Sequence, residues 1–512
     1  MDFLFHIKKI RFFLRLIVVK FYLCFGLLFF SAAVFSENSS NKKLIESLNQ
    51  VFKPKENDQY KIVEFKKLSN FSYIDRSTQE VLPTVILKSV GSQSISRRLV
   101  ALEKETDFLS AIRLAIQRNP EISQAIAFLA SQNSSIDVAK SQYYPQISGG
   151  VSASDLSSGQ RGQQLLSLNA TQMLYDFGKT KTSVNIEKAK LLLEQANVLV
   201  SIDDIANQVA AAMINIERYK SLSNTAQQQI LGIQGILNIA NLRANAGISS
   251  QADPIQAQSY LESARSNLIA QQLLLKQYQQ RLRTLLGFDI SNRHWIIPDH
   301  LVNASDLFRD PEFNTIPAMI VARTEVEVVQ YQKHRTDLSR YPTLFVKGSL
   351  NQAINGVNPN NNKDDGFYSS VMFEASSHFY QGGAISAQTR AVSYAEQAAR
   401  SKVNAVYMDV LDQIRITRED IKNKQRLIKV LVARQETAVR TRELYQEQYK
   451  LGTRSVIDLL NAEIAIHTAN SELENARYDI YSNLAHFIKV TGRSRDIYQL
   501  NHISIQGIEV QP

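Results

Sequence analysis

The chain has 512 residues, 44% apolar and 21% charged, with 19 glycines, 11 prolines and one cysteine. That composition excludes a disordered polypeptide and a disulfide-stapled scaffold, and so little glycine and proline leaves room for long uninterrupted elements. The formal net charge of +10 raises nucleic-acid binding, but no Lys/Arg cluster with interleaved aromatics follows the N-terminal segment, so that class is set aside.

Residues 1–36 read as a secretory signal. Lys8, Lys9, Arg11, Arg15 and Lys20 precede the apolar stretch Phe21 to Phe35, and Val34 and Ser36 are the small residues of a cleavage site. The apolar run is short for a membrane span; an uncleaved anchor is the other reading. Cleavage removes five basic residues and Asp2, lowering the net charge from +10 to +6. It also removes Cys24, and Phe21-Tyr22-Leu23 before it lacks the small residues of a lipoprotein signal. Residues 37–105 form an N-terminal extension to which the sequence assigns no role, although Leu82-Pro83-Thr84-Val85-Ile86-Leu87 has strand character.

From there the chain reads as helix, two strands, one very long helix, a turn and a shorter helix, and then repeats. The first helix is predicted over about Thr106 to Gln142. The strands follow at about Gln146 to Leu156 and Gln164 to Asp176, with Leu166, Leu168, Ala170 and Leu174 alternating against Ser167, Asn169 and Thr171. In the long helix, Ile202, Ile205, Val209, Ala212, Ile216 and Tyr219 keep a spacing of 3 and 4, resumed at Ile230, Ile233, Leu237 and Ala240. Sustained 3.5-residue spacing is a coiled-coil seam. From Gly178 to Gly247 such a helix is roughly 100 Å long, and the return to Gly287 covers only about 60 Å. The helix before the strands therefore has to cover the rest. A proline-rich link, 288–317, is predicted to wrap the resulting seam.

The second copy, 318–492, repeats this order. Gly178, Gly247 and Gly287 recur as Gly383, Gly452 and Gly492, and Asp253, Ala257 and Ala264 as Asp458, Ala462 and Ala469, all 205 residues later. Tyr144-Pro145 recurs as Tyr341-Pro342 at an offset of 197, which places an insertion at the Asn-rich stretch Asn358 to Gly366. Six positions in one register make the chain a duplication, 106–287 followed by 318–492. A helix is predicted over about Ala318 to Leu338. Leu344, Val346, Gly348 and Leu350 alternate, as do Phe367, Val371, Phe373, Ala375 and Phe379 against Ser370, Glu374 and Ser376. The second long helix keeps its seam with Tyr407, Val410, Ile414, Ile421, Ile428, Leu431 and Tyr445, interrupted by Thr417, Lys424 and Gln435. Residues 493–512 are left as a C-terminal tail.

Alternation alone fits either a small soluble sheet or membrane strands. Each segment is near the 9–11 residues that cross a bilayer when tilted, and one face is polar enough for a lumen. Four strands cannot close a barrel, so membrane strands would require several chains to share one.

The chain resembles the TolC-like outer-membrane efflux proteins over about Thr106 to Gly492. The residues that carry the resemblance are Asn119-Pro120, Tyr144-Pro145-Gln146, Leu174-Tyr175-Asp176-Phe177-Gly178, the duplication itself, and Tyr449-Lys450-Leu451-Gly452-Thr453-Arg454-Ser455-Val456-Ile457-Asp458. The resemblance implies a mainly α protein with a β-barrel portion. Three copies would form a 12-stranded outer-membrane barrel on a long periplasmic α-helical barrel. It also implies a periplasmic adaptor and an inner-membrane ABC or proton-driven transporter as partners, outer-membrane lipid around the strands, and exported protein or small molecules as cargo, without a cofactor. The wording is closest to members serving type I secretion.

In that family the turns at Gly247 and Gly452 form the periplasmic entrance. The matching gate positions are Asp253, Tyr449 and Arg454, with Asp458 in an acidic lumen ring. Asn461 stands where a second ring acid is expected, and Ala252 where a hydroxyl is usual. A helix N-cap is the alternative role for Asp253 and Asp458.

Two rival classes fare worse. The sequence has no His-Glu-x-x-His, Gly-x-Ser-x-Gly, P-loop or Gly-x-Gly-x-x-Gly motif, so neither catalysis nor a metal centre is expected; His294 and His300 lack a third ligand. A periplasmic coiled-coil adaptor anchored in the inner membrane explains the leader and heptads, but predicts one hairpin rather than two.

Overall fold

The computed structural model describes residues 107–154, 163–287, 293–298, 305–355, 366–377 and 380–501, with the short pairs 504–505 and 508–509. The leader, the extension 37–105, Leu156, His300, most of the Asn-rich insertion and Phe379 lie outside the described residues.

The first helix differs from its prediction because of one proline. Pro120 has no N–H to give and disfavours helical backbone at the residue before it. Asn119 is accordingly extended (φ −68°, ψ 128°), and its side chain accepts from the Glu121 N–H at 2.7 Å. The segment is therefore two helices, α1 (Phe108–Arg118) and α2 (Pro120–Ser141). Its counterpart in the second copy is α5 (Pro317–Leu338), also begun by a proline 197 residues later, and both span 22 residues. The intervening long elements are α3 (Lys179–Asn245) and α4 (Ala252–Leu286), answered by α6 (Ala384–Lys450) and α7 (Val456–Val490). The long members have 67 residues each and the returns 35 each, so the duplication holds to the residue.

Alongside α3, α2 and α4 lie end to end, as the length mismatch required; α6 is flanked in the same way by α5 and α7. Across the repeats α3 also contacts α5 and α7. The predicted seam is buried: Ile202, Ile205, Val209, Ala212 and Ile216 are at most 1% exposed, and Ile233 and Ala240 continue it. Two of the polar interruptions in α6 are satisfied in place. Thr417 donates to the Gln413 carbonyl at 2.7 Å, and Lys424 meets Asp479 of α7 at 2.6 Å. Most of α6 is nevertheless open, with Tyr394, Met408, Ile416, Val430 and Leu444 exposed.

Strands β1 (Gln146–Ser154), β2 (Gln163–Tyr175), β3 (Thr343–Asn355) and β4 (Gly366–Ser376) form one antiparallel sheet in chain order, joined across the repeats by β2 and β3. The register sorts the side chains by face. Ile147, Val151, Leu166, Leu168, Leu344, Phe367, Val371 and Phe373 share one face and are all exposed. The opposite face carries Ser148, Ser167, Asn169, Lys347, Ser349, Ser370 and Glu374, with Lys347 and Glu374 paired at 2.7 Å. A register shift between Met173 and Tyr175 takes Leu174 out of the alternation predicted for it.

The passage from strand to long helix is a built corner. Phe177 (φ 58°) and Gly178 (φ 93°) both turn left-handed, and the Asp176 carboxylate accepts from the Gly178 and Thr180 N–H groups. Phe177 stacks on Tyr341 at 5.2 Å, and Lys179 donates to the Tyr341 carbonyl at 2.6 Å, tying the first corner to the second copy.

The link is held at mid-helix from both copies. Glu217 of α3 is 4% exposed and accepts the Trp295 N–H at 2.8 Å, with His294 Nδ1 at 2.6 Å and Lys220 at 3.0 Å. Arg418 of α6 donates to the carbonyls of Leu307 and Arg309 and to Asp310. The described parts of the link thus meet both long helices about halfway along. After α7, helix α8 (Ser494–Ile497) brings Tyr498 and Leu500 into the main core with Phe108 and Ile112.

A buried carboxyl adjoins that core. Asp203 is 4% exposed. Burial raises its pKa to about 7 from 3.8, against the opposing pull of Ser494 and the Arg495 charge. With the folded value above the unfolded one, its contribution to stability is complete below pH 4 and is lost as pH rises through 7. Asp203→Asn should therefore raise the thermal midpoint at pH 8, by an effect on the order of a few kcal/mol, and flatten its dependence on pH. Melting curves in detergent at pH 5 and pH 8 check this; a variant parallel to wild type at both would remove Asp203 as the cause.

Candidate functional site

The two hairpin turns are built alike. Helix α3 ends with Gly247 at φ 71°, and the Ile248 N–H returns to the Arg243 carbonyl at 2.9 Å. Helix α6 ends with Gly452 at φ 81°, and the Thr453 N–H returns to the Gln448 carbonyl at 3.0 Å. Left-handed glycines close helices this way without a Cβ penalty.

Neither Asp253 nor Asp458 is an N-cap. Ser455 caps α7, its hydroxyl accepting from the Asp458 N–H at 3.2 Å and donating to the Asp458 carboxylate at 2.9 Å. Asp253 stands second in α4. Both carboxylates occupy a first helical turn, where the helix dipole favours negative charge.

Tyr449 is 2% exposed and lies in an apolar cluster drawn from both hairpins: Ile233, Leu237 and Ala240 of α3, Leu261 of α4, and Leu459 and Leu460 of α7. Burial raises its hydroxyl pKa, and the nearby Asp253 charge raises it further. The side chain that crosses between the hairpins here is Arg243 of α3. Its Nη1 donates to the Lys450 carbonyl at 2.9 Å, and its guanidinium lies 4.9 Å from the Tyr449 ring centroid. Tyr260 of α4 makes a second crossing, donating to Asn461 Oδ1 of α7 at 3.3 Å.

Arg454 keeps its contacts within its own hairpin. Nε donates to Gln448 at 2.9 Å, the guanidinium covers Tyr445 at 4.5 Å, and Nη1 is 3.8 Å from Asp458. Within one protomer, therefore, the structure brings Tyr449 and Asp253 into one region and places Arg454 beside Asp458. Sequence reasoning missed Arg243 and Tyr260. A partial signal existed for Arg243, because it matches Gln448, the residue that receives Arg454, at the 205-residue offset. Among the described residues no group of three or more His, Cys, Asp or Glu is placed to hold a metal.

The sequence model of a family described as "Outer membrane efflux protein" matches residues 111–288 and 315–493, the two copies without the link. Outer membrane protein TolC of Escherichia coli (strain K12) is 23% identical over 472 residues, covering 85% of this chain and 91% of that protein. Outer membrane efflux protein BepC of Brucella suis biovar 1 is 21% identical over 401 residues, covering 75% and 84%. The crystal structure of the outer membrane protein VceC from Vibrio cholerae superposes with a TM-score of 0.65 at 16% identity, covering 75% of this chain and 96% of that one.

Proposed function

The chain belongs to the outer membrane efflux protein family, and from that premise we propose that three copies share one barrel and that the hairpin turns are its periplasmic gate. Each chain is a subunit of an outer-membrane channel, a duct for efflux or secretion that extends into the periplasm. The adaptor alternative is set aside, since two hairpins are present, each reached through a strand pair.

The observation that carries the shared barrel is the sheet. It has four strands, one exposed apolar face, an opposite face on which Ser, Asn, Lys and Glu side chains mix with Phe345 and Met372, and, among the described residues, unpaired edges at β1 and β4. Open edges in hydrocarbon cost several kcal/mol per unpaired backbone group, so the edges must meet those of other copies; three copies give twelve strands. The gate reading is supported by Arg243, Tyr449, Asp253, Arg454 and Asp458 gathering at the two turns. In this reading Asp458 contributes charge to the lumen, while a periplasmic adaptor and an inner-membrane transporter supply cargo at the turns. Mass measurement and imaging of the detergent-solubilised protein test the assembly. A three-fold particle with helices of roughly 100 Å is expected; a monodisperse monomer would overturn it.

A further inference from the structure

Between the turns and the mid-helix link, α3 and α7 meet where α3 has no side chain. The α3 sequence there is Ile230-Leu231-Gly232-Ile233-Gln234-Gly235. A Cβ built on Gly232 would fall on the Glu463 carboxylate, 2.5 Å from Cδ and closer still to Oε1. Glycine inside a helix weakens it relative to alanine; here the missing Cβ makes the notch that receives a carboxylate.

That carboxylate is held from two further directions. Glu463 is 4% exposed, with Arg442 Nε of α6 at 3.2 Å from Oε2 and His467 Nε2, one turn along α7, at 3.1 Å from Oε1. From Thr225 to Asn238, α3 carries no titratable residue. The surroundings explain why this contact matters. Toward the turns lies the cluster of Ile233, Leu237, Leu261 and Tyr449. On the other side is a cleft of about 460 Å³ lined by polar groups that include Gln229, Asn267, Gln271, Thr468 and Asn475. Apolar packing between the hairpins is interrupted at this level, and the buried carboxylate in its notch spans the interruption.

We propose that Gly232, Glu463, Arg442 and His467 form an internal latch that fixes the register of α3 against α7 and so holds the hairpin turns in the arrangement described above. The coupling to the turns rests on the gate reading above, whereas the latch itself does not. Glu463 acts as a positioning residue: its carboxylate is a charged knob, Gly232 is its hole, and Arg442 and His467 set its rotamer.

The test uses the full-length assembled protein, by hydrogen exchange in detergent and conductance in planar bilayers. Gly232→Ala should speed amide exchange over residues 223–240 about tenfold and raise single-channel conductance. Gly235→Ala, whose Cβ would meet nothing within 4 Å, should leave both unchanged. In the Gly232→Ala background, Glu463→Asp withdraws the carboxylate by one methylene and should restore both readouts. The latch is overturned if Gly232→Ala exchanges like Gly235→Ala, or if Glu463→Asp brings no recovery. Altered exchange at unchanged conductance would overturn the coupling to the turns. Should wild type itself not conduct, the duct reading fails, and the exchange series still decides the latch.

Discussion

Arginine in place of Phe373 should strip most assembled channel from the outer membrane. Phe373 is 68% exposed on the sheet face that also carries Val371, Phe367, Leu168 and Val151. No helix covers that face in the described structure, so the only apolar medium for it is lipid. An Arg on the lipid face of a barrel costs about 2–4 kcal/mol at the bilayer midplane, which is roughly 30- to 1000-fold in an assembly equilibrium. Val371, two residues along the same face, should behave alike. Ser370 points the other way, its hydroxyl 2.8 Å from that of Ser349, and arginine there should be tolerated because the lumen hydrates it. Heat-modifiable oligomer in the outer-membrane fraction measures the difference. Equal losses from both faces would mean that the sheet lies in water on both sides.

Much of the architecture is legible in the sequence because it is periodic and doubled. The buried seam of α3 follows from its 3.5-residue spacing, and the helix ends follow from glycines that recur 205 residues apart. The break at Asn119-Pro120 is legible by the same physics, because proline ends a helix at the residue before it. The contacts across the repeats were not legible. Arg243 reaches the Lys450 carbonyl over 207 positions, and Glu463 finds Gly232 only because α3 and α7 lie side by side. Glu217 and Arg418 are charges whose partners in the link, the Trp295 N–H and the Leu307 and Arg309 carbonyls beside His294 and Asp310, include backbone groups that carry no side-chain signature. Asp253 and Asp458 both follow a glycine turn in the sequence. Which of the first-turn positions each takes depends on where the helix starts, and Ser455 decides that for α7 by claiming the cap.

Removing the contacts at the turns should open the entrance. The Arg243 bond to the Lys450 carbonyl joins a charged donor to a neutral acceptor, worth about 1.5–3 kcal/mol when shielded and nearer 1 at an exposed turn. Its cation–π contact with Tyr449 adds roughly 0.5–1 kcal/mol. One protomer thus contributes little, but in the proposed trimer three hairpin pairs opening together would multiply the loss to about 4.5–6 kcal/mol, enough to reverse a closed resting state. Arg243→Ala should therefore raise single-channel conductance in planar bilayers. The pair Tyr449→Phe with Arg454→Ser separates two geometries. Within one protomer Arg454 bonds only to its own hairpin, so a gate confined to single protomers predicts a smaller rise than Arg243→Ala gives. If Arg454 instead bonds between protomers, the pair should open the channel at least as far. Asp458→Asn should leave conductance similar and weaken block by divalent cations, since it takes charge from the lumen while the cap hydroxyl of Ser455 still serves α7. Wild-type conductance in both the Arg243 variant and the double variant would place the gate elsewhere, and unchanged cation block in Asp458→Asn would take that carboxylate out of the lumen.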